Sequence, residues 1–303
     1  MSFNPGLVHT PLTPFLSDGR IDFELYAKSI EFHLRHGADS LAVPMHAGES
    51  VSLSDGERRS LIAFAVERAD KRAPVIAHVS DAGTGIAAAL AKHAQAAGAS
   101  AIVATTPYYW TPPPGMILEH FFQIGAAVDI PFFVLNAPED MAGSKINAAL
   151  ALKLIAKLPN FTGVVDSSLD WQFMIEVLTE ASRLRPEFAL LAGTELMVSA
   201  GAIGASGLFS ALAAIAPKLV RELFDLCRAQ KFYEARALQE EVAALRHIVK
   251  PGGVAALKAA VRAMGRDCGN PRPPLLPLEA GAAKMLAAAI EALPALAAES
   301  RSW

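Results

Sequence analysis

The chain has 303 residues, of which 52% are hydrophobic, and its 27 basic and 30 acidic side chains leave a net charge of -3. This composition is sufficient for a large buried core, in one large α/β barrel or in two ordinary domains. The charges are interspersed, so the sequence offers no basic stripe for nucleic acid and no polybasic membrane patch, and we expect a small neutral or anionic metabolite as the partner.

Two features bear on the compartment in which the protein works. Its two cysteines, Cys227 and Cys268, lie in neither a CxxC nor a His-rich context, which indicates free thiols in a reducing compartment. The start of the chain lacks a basic region followed by an apolar run, and no apolar stretch is long enough to span a bilayer. We therefore expect a cytoplasmic protein.

Short runs typical of β-strands recur along the chain, and a segment typical of a helix follows each of them. The predicted strands are 6–12, 40–44, 74–79, 101–105, 131–135, 161–165, 188–191 and 207–210. This alternation is the pattern of a parallel (β/α)8 TIM barrel, the fold class that we predict.

Local signals mark the boundaries of the helices between the strands. Ser54 and Glu57 match a capping box, in which each side chain satisfies a free backbone N–H group at the helix start. Gly37 and Gly98 are predicted to end the first and third helices, because glycine adopts the left-handed conformation that turns the chain toward the next strand.

After the eighth predicted strand the sequence is rich in alanine, leucine and charged residues with helical periodicity. Helices are predicted over 217–229, 232–247, 253–264 and 279–296. The proline-rich stretch 270–277 links the last two helices, and 294–303 is predicted to be a frayed tail. We therefore divide the chain into a barrel over 1–216 and, over 217–303, the last barrel helix with a helical C-terminal extension.

Several segments, most of them at predicted strand ends where a TIM barrel carries its active site, resemble one known family. They are Leu12-Thr13-Pro14-Phe15, Gly48-Glu49-Ser50, Pro74-Val75-Ile76-Ala77-His78-Val79, Pro107-Tyr108-Tyr109, Asn136-Ala137-Pro138 and Arg272-Pro273-Pro274-Leu275-Leu276-Pro277-Leu278. The family is that of dihydrodipicolinate synthase and N-acetylneuraminate lyase. The resemblance implies a class I pyruvate aldolase or lyase on a TIM barrel, assembled as a homotetramer from dimers, that needs no metal or organic cofactor.

The resemblance also assigns roles to residues of the loop after the second strand and of the Pro-Tyr-Tyr segment. Tyr109 matches the tyrosine that reaches a neighbouring subunit's active site, and Glu49 matches the glutamate after the glycine of the substrate loop. The family's Gly-Thr-Thr-Gly-Glu loop, whose hydroxyl and N–H groups hold the keto-acid carboxylate, reads Met45-His46-Ala47-Gly48-Glu49 here. Both threonines are therefore absent.

Three further positions depart from the family pattern. Leu135 matches the tyrosine that donates a proton to the carbonyl oxygen, and the acidic stretch 139–141 replaces the arginine expected after Pro138. Val165 matches the Schiff-base lysine at the end of the sixth strand. Because valine has no nucleophile, we predict that pyruvate forms no imine at this position.

Several histidines and lysines allow more than one interpretation. His46 is either a general base or anion donor that titrates near neutral pH, or a loop histidine that fills space. His9 and His78, at the same barrel end, are interpreted as structural, since no HxH or HxxxH spacing supports a metal site. Lys145 is the candidate for a relocated nucleophile, whereas Lys258 is interpreted as structural.

Two functions follow from these observations. The first is a lyase or hydratase of this family that acts on a small oxo or hydroxy acid by acid–base chemistry from His46 and Tyr109, with no covalent intermediate. The second is a non-catalytic binding or regulatory homologue that keeps the pocket. We expect no metal, cofactor, nucleic-acid or membrane partner, and a homotetramer or homodimer. The predicted substrate-binding residues are Ala47, Gly48, Leu135, Asn136, Val165 and Ser210.

Overall fold

Eight parallel strands form a closed barrel in a computed structural model of the chain, which describes residues 3–137 and 144–303. Each strand pairs with the next along the chain, and the eighth pairs with the first. The strands are β1 (Leu7–His9), β2 (Ser40–Val43), β3 (Val75–His78), β4 (Ala101–Thr105), β5 (Phe132–Asn136), β6 (Phe161–Asp166), β7 (Ala189–Ala192) and β8 (Gly207–Ser210). The predicted TIM barrel is confirmed, with every predicted strand in its place.

Helices connect the strands and continue beyond the last one. In the described parts of the chain they are α1 (Phe23–Arg35), α2 (Asp55–Ala69), α3 (Thr84–Ala96), α4 (Pro114–Gly125), α5 (Ala148–Lys157), α6 (Trp171–Leu184), α7 (Met197–Ala202), α8 (Pro217–Arg228), α9 (Phe232–Val249), α10 (Gly253–Ala263) and α11 (Ala280–Glu291). None of these has the length and the apolar composition that crossing a bilayer requires. The exact division of the chain at residue 216 stays a prediction.

The strands are buried on both faces, as a barrel surrounded by helices requires. Side chains alternate between the barrel interior and the helix layer, and β6 shows the pattern clearly. Val165 belongs to the interior cluster with Leu135 and Leu191, which are its partners in register on β5 and β7. Val164 belongs instead to the cluster that packs under the helices. Val165 therefore points into the barrel.

The predicted helix boundaries are confirmed where a specific interaction defines them. At the start of α2 the Ser54 hydroxyl accepts a hydrogen bond from the Glu57 N–H at 3.3 Å, and the Glu57 carboxylate accepts one from the Ser54 N–H at 2.9 Å. Gly37 and Gly98, just beyond α1 and α3, have φ angles of 88° and 93°. A side chain would be strained at both positions.

The predicted frayed tail is wrong. The buried carboxylate of Glu299 accepts hydrogen bonds from the N–H groups of Lys218 and Leu219, which have no partner within α8 because they lie in its first turn. The ring of Trp303 packs edge-on against Phe32 of α1, with centroids 5.9 Å apart. The last helix ends at Glu291 rather than near residue 296, and a short 3-10 turn follows it.

A buried ion pair joins the loop after β2 to the C-terminal helices. Lys258 of α10 lies with its Nζ 2.7 Å from a carboxylate oxygen of Glu49, and 4.3 Å from the centroid of the Phe15 ring. The other carboxylate oxygen of Glu49 accepts a hydrogen bond from the Arg272 N–H at 2.7 Å. Glu49 thus anchors its loop to the extension rather than to the loop's own backbone, and the extension holds the loop at the barrel mouth.

Candidate active site

A cavity of about 200 Å³ lies at the C-terminal ends of the barrel strands. Its walls come from two sources, the strand ends with their loops and the turn that joins α9 to α10. The described lining residues are Thr10, Met45, His46, Ala47, Leu135, Ala137, Val165, Ser167, Gly193, Thr194, Glu195, Phe209, Ala211, Leu212, Arg246, Val249, Lys250, Gly253, Val254 and Leu257. The barrel end that TIM-barrel enzymes use for catalysis therefore holds a cavity of a size suited to a small metabolite.

The floor of this cavity is hydrocarbon. Val165 and Leu135 lie side by side because their Cα atoms are partners in the β5–β6 ladder, and both side chains are buried. Met45 and Phe209 extend the same apolar surface. A bound molecule would meet neither an amine nor a phenol there, so the floor supplies no nucleophile and no proton donor.

Three residues of the loop after β2 line the cavity, Met45 at the floor and, next to it, His46 and Ala47. His46 is exposed and Ala47 is buried, and both line it. Gly48 does not line it, because the Gly48 carbonyl accepts a hydrogen bond from the Thr13 hydroxyl at 2.7 Å beneath the loop. A Cβ at position 48 would lie 3.2 Å from the Pro11 carbonyl oxygen, so glycine permits this close packing.

The strand ends of β5 and β6 are joined by a buried polar network rather than by groups that point into the cavity. The Asn136 amide donates to the Asp166 carboxylate at 2.6 Å, and its oxygen accepts from the Ile146 N–H at 3.2 Å. Burial raises the pKa of Asp166 to about 6, although hydrogen bonds from Asn136 and Ser168 oppose the shift. Neither Asn136 nor Asp166 is among the described lining residues.

Ser210 lies behind the cavity wall instead of in it. Its hydroxyl donates to Glu195 at 2.9 Å, and the same carboxylate oxygen accepts from the Leu212 N–H at 3.1 Å. The other oxygen of Glu195 lies 3.2 Å from the guanidinium of Arg246. Glu195, which lines the cavity, is thus oriented from β8 on one side and from α9 on the other.

The buried histidines at this barrel end are held as neutral structural groups. His78 Nε2 lies within hydrogen-bond distance, 2.7 Å, of the Ser80 hydroxyl, which also accepts from the Thr105 N–H at 2.8 Å. His9 Nδ1 lies 3.0 Å from His33 Nδ1. Burial lowers the pKa of His33 and of His78 to about 3. In residues 3–137 and 144–303, no three His, Cys, Asp or Glu side chains converge in a way that would hold a metal ion.

Tyr109 does not line the cavity of its own chain. Its side chain is 96% exposed, and its φ angle of 80° places the backbone in the left-handed region, which is unfavourable for a residue with a side chain. Trp110 beside it is 48% exposed. Any catalytic role of Tyr109 would therefore be exercised in another subunit.

Neither of the two lysines considered in the sequence lines the cavity. Lys145 forms a surface ion pair with Asp170. Lys258 forms the buried ion pair with Glu49. The acidic stretch 139–141 lies outside the described residues. Lys250, at the C-terminal end of α9, is the one lysine among the described lining residues, and sequence reasoning did not single it out.

Comparison with known proteins gives a consistent result over nearly the whole chain. Residues 4–293 match the model of the dihydrodipicolinate synthetase family. A 4-hydroxy-tetrahydrodipicolinate synthase of Azoarcus sp. is 33% identical over 276 residues, which are 90% of this chain and 92% of that protein. The one from Bacillus subtilis is 29% identical over 278 residues, covering 91% of this chain and 94% of that protein.

Solved structures agree in fold. The dihydrodipicolinate synthase of Aquifex aeolicus superposes with a TM-score of 0.90 at 28% identity, over 95% of this chain and 97% of that one. The chloride-inhibited enzyme of Acinetobacter baumannii, solved in complex with pyruvate, gives a TM-score of 0.87 at 28% identity, over 95% of this chain and 98% of that one.

Proposed function

Because the chain belongs to the dihydrodipicolinate synthetase family, we propose that it is a lyase of that family that works without an imine at the end of β6. Its ligand is a small oxo or hydroxy acid, bound non-covalently in the cavity at the barrel mouth. The observation that carries the proposal is the apolar floor, where Val165 and Leu135 meet in register. A carbonyl carbon above this floor meets no amine on β5 or β6 that could attack it.

Acid–base chemistry is the remaining route to reaction. His46 lines the cavity and is exposed, so its imidazole can take a proton from the carbon next to the carbonyl group of a bound 2-oxo acid. The resulting enolate needs a donor at its oxygen, and Tyr109 of a neighbouring subunit is the candidate in a homotetramer or homodimer. Thr10, Ser167 and Thr194 contribute hydroxyl-bearing side chains to the lining and would orient the acid.

Proton exchange tests this chemistry without knowledge of the physiological substrate. Pyruvate and 4-methyl-2-oxopentanoate are incubated with the protein in D₂O, and the loss of the C3 proton signal is followed by NMR. We expect exchange above the uncatalysed rate, reduced about a hundredfold in His46→Asn, because general base catalysis contributes factors of that order. His247→Asn is the matched control, since His247 is an exposed histidine of α9 that does not line the cavity.

The second candidate, a non-catalytic binding or regulatory homologue, is favoured by one observation. The side chains of Asn136 and Ser210, predicted to touch substrate, are engaged in hydrogen bonds within the protein, which leaves few groups to move protons. Binding of an acid without exchange of its C3 protons would support this second function. The absence of both binding and exchange for every acid would refute the proposed function.

A further inference from the structure

We infer that Arg246 and Lys250 form the anion-binding side of the cavity, so that the ligand is an acid with a sizeable hydrocarbon body. Its carboxylate faces the end of α9, and its apolar part covers the floor made by Val165 and Leu135. This inference rests on the proposed function and specifies the substrate class of the same site.

The geometry of α9 brings the two cations to one wall. Residues four apart lie on the same face of a helix, and both Arg246 and Lys250 line the cavity. Between them Val249 is buried and lines the same cavity, as does Val254 after the turn into α10. This wall therefore combines the apolar side chains of Val249 and Val254 with the two positive groups of Arg246 and Lys250.

The charges on this wall do not balance. Arg246 is paired with Glu195, whose two oxygens together accept from Ser210, Leu212 and Arg246. No carboxylate of the described residues lies within ion-pair distance of Lys250. Two like charges one helical turn apart repel each other, and the negative end of the helix dipole offsets that only in part. A bound carboxylate would supply the missing negative charge.

The loop after β2 and the floor of the cavity offer few groups that could bind a carboxylate. The loop after β2 presents Met45, His46 and Ala47, and none of them carries a hydroxyl group. The floor is hydrocarbon, so a carboxylate placed on it would lose hydration without a partner. The same floor favours an alkyl or aryl group, whose burial is stabilising. The arrangement therefore orients an amphiphilic acid, with its charge toward α9.

Calorimetry with a matched pair of ligands tests this orientation. Dissociation constants are measured for pyruvate, for 4-methyl-2-oxopentanoate and for the methyl ester of the latter, which keeps the hydrocarbon and removes the charge. On the unmodified protein we expect the branched acid to bind more tightly than pyruvate, and its ester to bind about tenfold more weakly than the acid.

The variants Lys250→Gln and Arg246→Gln locate the effect. Each should weaken binding of the branched acid about tenfold and leave binding of the ester unchanged. Lys284→Gln, at an exposed lysine of α11 away from the cavity, is the control and should bind the acid normally. Lys250 is exposed, so its replacement should leave the free energy of unfolding unchanged, which separates a binding defect from a folding defect.

Two results would overturn the inference in distinguishable ways. If acids bind the unmodified protein and both α9 variants equally well, the anion site lies elsewhere, and the proposed function stands. If pyruvate and the branched acid both fail to bind the unmodified protein, the proposed function fails and this inference fails with it.

Discussion

Placing an amine at the end of β6 tests how much of an aldolase site the cavity retains. The perturbation is Val165→Lys, made alone and together with Leu135→Tyr, its neighbour in register. Val165 is fully buried and lines the cavity, so the longer side chain can extend into that space instead of displacing the barrel core. The cost then comes chiefly from the ammonium group, which loses hydration above a hydrocarbon floor.

That cost sets the chemistry of the new amine. A polar group introduced at such a position destabilises a protein by about 3 kcal/mol, and about 1.4 kcal/mol corresponds to one pKa unit. If all of it reflects desolvation of the charged form, the pKa of the amine falls by about two units from its ordinary value. The amine would then be partly neutral and nucleophilic near pH 8, and the destabilisation would shrink as the pH rises.

The assay traps pyruvate with cyanoborohydride and counts adducts by intact mass. We expect weak trapping by Val165→Lys, stronger trapping when Leu135→Tyr is added, and poor turnover in both, because catalysis depends on groups that act together. Val165→Met is the control, since it adds length without an amine and should cost less than about 1.5 kcal/mol. Aldolase turnover by Val165→Lys alone, at a rate typical of the family, would refute this expectation, because it would show that the rest of the site supports the reaction.

Three further predictions concern stability and assembly. Lys258→Met should destabilise the protein by about 3 kcal/mol in urea unfolding, because it leaves the buried Glu49 carboxylate unpaired. Adding Glu49→Gln should restore most of this stability. If the destabilisations of the two substitutions simply add, the prediction is contradicted. The free energy of unfolding should fall as the pH is lowered from about 6.5 toward 4. Over this range His33 and His78 become protonated in the unfolded chain but stay neutral in the folded protein, where their pKa values are lowered. The raised pKa of Asp166 opposes this loss of stability, but over a narrower pH range. A free energy of unfolding that does not change over this pH range would contradict the prediction. Light scattering should give the mass of a tetramer or dimer for the unmodified protein, and a lower mass for Tyr109→Ala. A monomer of the unmodified protein at micromolar concentration would contradict this prediction.

Much of the fold follows from patterns that are local in the sequence. Strand runs separated by helical segments, a capping box at Ser54 and glycines after two helices all act within a few residues, and each is confirmed. The direction of Val165 also follows locally, because alternation along a strand fixes the face of every residue once one is known. These features could be predicted because the physical cause lies beside the residue that shows it.

The parts that could not be predicted depend on long-range packing. Arg246 and Lys250 have the spacing of one helical face, but nothing local says that α9 covers the barrel mouth rather than the outer ring. Glu49 forms an ion pair with Lys258 of α10, and Glu299 accepts a hydrogen bond from the first turn of α8. Neither contact could be predicted from the sequence. In each case the partner lies on a helix far away in the sequence, so the local pattern does not indicate it.

We propose that this barrel binds its acid without a covalent bond. The most direct measurement is to incubate the unmodified protein with pyruvate and borohydride and to determine the intact mass, with the variant that combines Val165→Lys and Leu135→Tyr as the positive control. We expect an adduct on that variant and none on the unmodified protein. A stoichiometric adduct on the unmodified protein would contradict it, and peptide mapping to Lys250 or Lys145 would identify the nucleophile.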